Sequence, residues 1–316
     1  MMAVVLLLCF SLVVSIDPSS ITVSGVSSGA AMALQLEISF SSTIVGSALS
    51  AGPPYYCAQG SLGSVVACSL YPDLIPVSSI ESNIQDFASN GAIDGLGNLT
   101  QHKVFLYSGT LDTVVVQGVV KVSEQILRDL GVQNINTEYS VDSEHCWPTD
   151  NWGDLCAALG EPFINNCDYD FAGEALSFFY GNLNPSGTPS SGNIRMIDQN
   201  TYAPGGDASA ISMDQYAYAY VPSNCQGSSN NCKLHVALHG CLQSSGLIGT
   251  TYVEHAGFNE WAETNNIVVV YPQAVVSVVN PQGCWDWWGY TNDHYADKGG
   301  PQIQTINNII QSFLSQ

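Results

Sequence analysis

The chain has 316 residues, with 27 acidic against six basic side chains and a formal charge of −21. That length holds one large α/β domain, or two small ones, with a substantial core. So negative a chain is repelled by DNA, RNA and anionic lipid, which disfavours nucleic acid and the membrane surface, so neither is expected as a partner.

Taken in order, Ala3 to Val14 is an apolar run of signal-peptide length that Ser15 closes with a small residue; it is too short to span a bilayer. Residues 1–15 are therefore expected to be a leader, and 16–316 a single catalytic domain of a secreted protein. The n-region lacks Lys and Arg, so an uncleaved anchor is the other reading. Ile21 to Ser24 then reads as a strand, Gly25 to Gly29 as a turn, and Ala30 to Ile38 as a helix with Ala31, Leu34 and Ile38 on one face. The turn has the pattern G-x-S-x-G. Between a strand and a helix this pattern lifts a serine hydroxyl, here that of Ser27, clear of a sheet. It also aims the Ser28 N–H at the place where an oxyanion would form.

Val104 to Tyr107 is the next strand, and Asp112 follows it closely. A carboxylate just beyond a buried strand sits where α/β sheets carry working residues, although a turn aspartate bonding its own backbone looks the same. "SEHCWPTD" places His145 in a polar loop. Tyr169 to Leu183 reads as a helix, Ile194 to Ile197 and Tyr216 to Val221 as strands. Leu234 to Leu238 is a buried strand, Phe258 to Glu263 a helix, Ile267 to Tyr271 a strand. Ile303, Ile306, Ile310 and Phe313 mark a closing amphipathic helix.

Ten cysteines are present. Cys9 leaves with the leader, and the nine that remain cannot all pair within one chain. Neighbour spacing suggests Cys57–Cys68, Cys156–Cys167 and Cys225–Cys232 as short loops and Cys241–Cys284 as a longer one; spacing alone leaves other connectivities open. No CxxC pair or HExxH motif supports a metal site. Asn98 opens an N-glycosylation sequon, in keeping with export.

"LHVALHGCLQS" runs a strand into His239-Gly240-Cys241. In α/β-hydrolases such an HG turn supplies the second oxyanion N–H and normally precedes the nucleophile elbow; here it follows by some two hundred residues. Joining the chain ends restores the ordinary order. The sequence therefore reads as a circularly permuted α/β-hydrolase fold, one domain around a mostly parallel sheet, cut just before the elbow strand.

"VSGVSSGAAM", "YSGTLDTVV", "EHCWPTD", "LHVALHGCLQS", "VVVYPQA" and "GCWDWWG" together resemble the circularly permuted, single-domain, secreted poly(3-hydroxybutyrate) depolymerases of the fungal type, over nearly the whole mature chain. The resemblance implies Ser27 as nucleophile, Asp112 and His145 as its triad partners, and the Ser28 and Cys241 amides as the oxyanion hole. It also implies a Cys241–Cys284 bridge and Trp287 in contact with the polymer; that bridge would tie the "WDWW" segment close to the reacting carbonyl, so Trp287 is expected to lie exposed in a cleft beside Ser27. Of Trp285, Trp287 and Trp288, at least one is expected in the core. Two departures stand out. Ala30 replaces a usual glycine, and Cys146 follows the triad histidine, where it is expected to be a free, buried thiol.

The implied chemistry needs no cofactor or metal: His145 takes the Ser27 proton, Asp112 holds the imidazole, and water releases the acyl group. The expected partner is a polyester or oligo-hydroxyalkanoate, acted on by a monomer. Two rivals remain. A secreted feruloyl or acetyl carbohydrate esterase shares the triad, and a polymer-binding pseudo-hydrolase shares only the fold.

Overall fold

A strand buried on both faces reads as a continuous apolar run, and residues 104–107 and 267–271 are such runs. The computed structural model describes residues 14–315. Its strands are β1 (Val14–Ile16), β2 (Thr22–Val26), β3 (Gly46–Ser50), β4 (Lys103–Tyr107), β5 (Asn134–Glu138), β6 (Trp147–Thr149), β7 (Asp154–Leu155), β8 (Ile164–Asn166), β9 (Ile194–Asp198), β10 (Tyr216–Tyr220), β11 (Gly227–Leu238) and β12 (Ile267–Tyr271). Nine of them form one sheet in the order β5-β4-β3-β2-β11-β12-β10-β9, with β1 beside β11. It is parallel from β5 to β12, and β10 and β9 extend it antiparallel. β6, β8 and β7 make a small separate sheet just after His145.

The helices are α1 (Ser28–Ser39), α2 (Ala67–Leu70), α3 (Val77–Asn90), α4 (Gln117–Asp129), α5 (Phe171–Tyr180), α6 (Ser245–Ile248), α7 (Thr251–His255), α8 (Phe258–Asn265) and α9 (Pro301–Leu314). Strand periodicity sends alternate side chains to opposite faces. Val104 and Leu106 therefore join a core shared with α1, α3, α4 and α9, while Phe105 and Tyr107 join one shared with α5, α7 and α8. On α9, Ile303, Ile306, Ile309 and Ile310 are buried, each contributing about 1.5–3 kcal/mol by leaving water.

The order of elements is that of a permuted α/β-hydrolase. β2 and β11 are parallel neighbours, with Thr22 opposite His235 and Gly25 opposite Leu238. α9 packs against β1, and the Asp17 N–H donates to the Cys232 carbonyl at 2.8 Å. The expected leader lies outside the described residues, apart from Val14 and Ser15, which belong to β1.

Several boundaries differ from the sequence reading. The helix expected over 169–183 spans Phe171–Tyr180, because the Asp170 carboxylate caps it by accepting from the Gly173 N–H and Gly181, at φ 81°, ends it. β11 begins at Gly227 rather than near Leu234 because its first half pairs with β1. Among the described residues the disulfides are Cys57–Cys68, Cys156–Cys167, Cys225–Cys232 and Cys241–Cys284. Cys146 is free and buried, and burial pushes its thiol up to about 12.

Candidate active site

β2 leads into Ser27 at φ 58°, ψ −121°, a conformation that costs a non-glycine residue on the order of 1–3 kcal/mol and persists only where its surroundings hold it. The surroundings here are tight. A Cβ on Gly25 would lie 2.2 Å from the Gly29 carbonyl carbon, and one on Gly29 would lie 2.3 Å from the Leu238 carbonyl oxygen. The two glycines of the pattern are thus places where helix, strand and neighbouring strand touch backbone to backbone. The Ser27 N–H donates to the Ser50 carbonyl at 2.9 Å. Ser28 is the first residue of α1, so its N–H has no acceptor within the helix, and every residue of α1 is buried. At the departure from the family pattern, Ala30, the space is made by Gly52: a Cβ there would lie 2.6 Å from the Ala30 methyl.

The loop after β4 brings Asp112 to His145. One Asp112 oxygen accepts from the Val114 and Val115 N–H groups at 2.9 and 2.8 Å. The other accepts from His145 Nδ1 at 2.9 Å. Glu144 locks the two loops together. Its carboxylate accepts from the Thr113 hydroxyl at 2.6 Å, from the Thr113 N–H at 3.2 Å and from the His145 N–H at 2.8 Å. Burial works against its charge, but these donors outweigh it and hold the carboxyl below its usual range. Gly109 allows the same approach, since a Cβ there would lie 2.1 Å from the Ser143 carbonyl oxygen. His145 and Ser27 line one cavity of about 250 Å³ with Leu159, Phe163, Gly240 and Leu242. The hydrogen bonds of His145 run to Glu144 and Asp112 and not to Ser27 Oγ; the bond between nucleophile and base commonly tightens only once substrate is bound.

Across the cavity is the turn after β11. His239 donates from Nδ1 to the Gly240 carbonyl at 2.7 Å and accepts at Nε2 from the Ala274 N–H at 3.1 Å. Gln243 accepts from the Gly240 N–H at 2.6 Å and donates to the Pro162 and Phe163 carbonyls at 2.8 and 3.2 Å. The Cys241 N–H has no backbone acceptor among the described residues. The 285–291 segment is stitched to both turns. The Trp285 N–H donates to Ser28 Oγ at 3.2 Å and its indole N–H to the His239 carbonyl at 2.9 Å. The Asp286 carboxylate gathers the amides of residues 288–291.

Ser27 also borders a second, larger cavity of about 380 Å³, lined among others by Leu62, Val65, Val114, Trp287 and Trp288. Trp287 lies in its wall, but only 8% of it is exposed and it packs within the main core. The expectation of an openly exposed indole is corrected: the following Trp288 closes over it edge-on, with ring centroids 5.7 Å apart, and leaves only a margin facing the cleft. Trp285 is fully buried. Asn98 is exposed, on a short 3₁₀ turn. Among the described residues no cluster of three or more His, Cys, Asp or Glu is placed to hold a metal, and no helix is long and apolar enough to cross a membrane. Sequence reasoning missed Glu144, Gln243 and the His239 side chain; each lies inside a motif it did single out.

The parallel sheet, the strained serine between strand and helix, and the acid and histidine on neighbouring loops are those of an α/β-hydrolase, the class of the serine ester hydrolases. No protein-family model matches the chain. It is 34% identical over 321 residues to the polyhydroxybutyrate depolymerase of Talaromyces funiculosus, covering 95% of this chain and 91% of that protein. It is 40% identical over 307 residues to the poly(3-hydroxybutyrate) depolymerase of Delftia acidovorans, again over 95% of this chain, but spans only 60% of that relative's length. The crystal structure of PHB depolymerase from Penicillium funiculosum superposes with a TM-score of 0.88 at 33% identity, over 96% of this chain and 98% of that one. A serine-to-alanine PHB depolymerase variant complexed with an R3HB trimer gives the same figures. The chain belongs to the polyhydroxybutyrate depolymerase family.

Proposed function

We propose that this protein is a secreted serine esterase that hydrolyses the ester bonds of poly(3-hydroxybutyrate) and its oligomers. One observation carries the reading: Ser27 sits where two apolar cavities meet, one shared with His145 and the other with Trp287. A polyester chain brings methyls and carbonyls but no charge, so it needs apolar walls on both sides of the reacting carbonyl. Exposed Leu62, Val114, Leu159 and Val279 rim the two cavities and give a solid polymer surface something to rest on.

In the proposed mechanism His145 accepts the Ser27 proton as Oγ attacks the carbonyl carbon. Asp112 holds Nδ1–H and stabilises the imidazolium. The Ser28 and Cys241 N–H groups bind the oxyanion, where one donor is worth about 3–4 kcal/mol. His145 then protonates the departing hydroxyl oxygen, and water, activated by the same imidazole, attacks the acyl-enzyme and regenerates Ser27. Every proposed group comes from this one chain, as suits a monomer; the four disulfides suit an extracellular setting.

The test is product analysis with poly(3-hydroxybutyrate) film, with hydroxybutyrate oligomers and with a feruloyl ester, using Ser27→Ala as the blank. Hydroxybutyrate release by the wild type alone, with little feruloyl hydrolysis, is the expected result. Feruloyl hydrolysis without polyester hydrolysis would replace the substrate assignment. No fluorophosphonate labelling of Ser27 would remove the enzyme assignment.

A further inference from the structure

Trp287 and Trp288 wall the larger cavity beside Ser27, yet neither belongs to a helix or a strand. Something other than regular structure has to hold their backbone, because amides at the edge of a core need acceptors. Among the described residues no backbone carbonyl accepts from the N–H groups of Trp288, Gly289, Tyr290 or Thr291. One side chain takes all four. Asp286 Oδ1 accepts from Trp288 at 3.3 Å, from Gly289 at 2.7 Å and from Tyr290 at 3.0 Å. Oδ2 accepts from the Thr291 N–H at 2.8 Å and from its hydroxyl at 2.6 Å. The turn so made passes through Gly289 at φ 90°, a conformation that glycine takes without strain.

The carboxylate is a costly way to hold a turn. It is 1% exposed, and among the described residues it enters no ion pair. Burial pushes the carboxyl above its usual range, against the pull of the donors at 289–291. A buried charge without a counter-ion depends on such donors. The backbone of Asp286 is fixed from outside the turn. Its N–H donates to Gln302 Oε1 on α9 at 2.9 Å. Its carbonyl accepts from Gln35 Nε2 at 3.0 Å, on α1, the helix that follows Ser27. Asp286 is thus a post tied to two helices, with its carboxylate reaching forward to the four amides. Trp288 in turn stands edge-on to Trp287 and packs against Tyr290 at 4.9 Å between centroids, so fixing the amides of 288 and 290 fixes the stack of rings.

We propose that Asp286 is a positioning residue for substrate specificity, its carboxylate holding residues 288–291 so that Trp287 and Trp288 stand as the polyester-facing wall beside Ser27. The proposal rests on the esterase reading above and extends it to a side chain that lines neither cavity.

Two variants grade the effect. Asp286→Asn keeps one acceptor oxygen for the amides of 288–290 but turns a donor toward the Thr291 N–H. Asp286→Ala leaves all four amides without their acceptor. Relative to kcat/KM for nitrophenyl acetate, kcat/KM for a hydroxybutyrate trimer should fall about threefold in Asp286→Asn and about tenfold in Asp286→Ala. The trimer's loss should sit in KM, because an apolar wall binds substrate and transition state alike. A carboxylate that only stabilised the fold would lower Tm and, below it, leave the ratio of the two kcat/KM values unchanged. An unchanged ratio in Asp286→Asn, or equal losses on both substrates, would overturn the proposal; Asp286→Asn decides it alone should Asp286→Ala fail to fold.

Hydrogen exchange read by mass spectrometry gives a second measure. Peptides covering residues 287–291 should exchange faster in Asp286→Asn than in wild type, while those of α1 and α9 exchange alike. Exchange that is unchanged, or faster throughout the chain, would also overturn the proposal. Wild type that cleaves nitrophenyl acetate but not the trimer would refute the polyester reading and this role with it. A trimer-active wild type whose variants keep its ratio would refute the role alone.

Discussion

Replacing Trp287 by alanine should do two separable things. The indole is 8% exposed, and eight per cent of the roughly 250 Å² that a large aromatic side chain presents is about 20 Å² facing the cleft. Covering that margin with an equal patch of polyester contributes about 1 kcal/mol at ~25 cal/mol/Å², or about fivefold in kcat/KM. The buried remainder packs in the main core, so its loss leaves a cavity and costs about 3–5 kcal/mol of stability, a drop in Tm on the order of 10 °C. The assay compares kcat/KM for a hydroxybutyrate trimer and for nitrophenyl acetate, both measured well below the variant's own Tm. The trimer should lose about five times more than the nitrophenyl ester. Equal losses would refute the contact. A differential loss above about fiftyfold would refute the area argument, because no 20 Å² margin supplies it.

Asp112→Asn should lower kcat by about 10³–10⁴-fold with little change in Tm, because an amide N–H facing Nδ1 favours the wrong imidazole tautomer; a loss under tenfold on the nitrophenyl ester would count against the triad. Glu144 is held below its usual carboxylate range, so its stabilisation is fully present above the unfolded-state value of about 4.3 and is lost as pH falls through the lower folded-state value. Glu144→Gln should therefore have a lower Tm than wild type at pH 7, with the gap narrowing below about pH 4; a gap independent of pH, in melting curves across that range, would contradict the assignment. Cys146, its thiol pushed up to about 12, should stay silent to a thiol reagent at pH 8 until the chain is unfolded, and Cys146→Ala should keep activity within about twofold. Stoichiometric reaction of the native protein would refute that.

The elbow was legible in the sequence because close backbone contact leaves glycine almost no substitute: Gly25 and Gly29 announce the contacts of Gly29 with Gly25 and Leu238. β12 was legible to the residue because Ile267 to Tyr271 is apolar on both faces. β1 was not, since Val14 closes an apolar run that reads as a leader, and only its pairing with the 227–232 part of β11 makes it a strand. α3 carried a signal in Ile80, Ile84 and Phe87 that the reading did not use, whereas β6, β7 and β8 are too short to show any period. The depth of Trp287 was hidden because three nearby indoles look alike until Trp288 and the Asp286 turn arrange them. Glu144, Gln243 and His239 were hidden for another reason: most of their partners are backbone groups, and a sequence does not say which amide or carbonyl a side chain will meet.

The position of β2 in the middle of the sheet has a consequence for how the protein is made. Its partner on one side, β3, follows within a few dozen residues, but on the other side Thr22 meets His235 across 213 residues of chain. At about 5–20 residues per second, synthesis leaves that edge open for roughly 10–40 s. Ser27, the proposed nucleophile, therefore leaves the ribosome some two hundred residues ahead of Cys241, whose amide is the proposed second oxyanion donor. No shortened product ending before β11 holds both, so under the proposed mechanism the nascent chain carries Ser27 without its second oxyanion donor until about three quarters of the sequence has been translated.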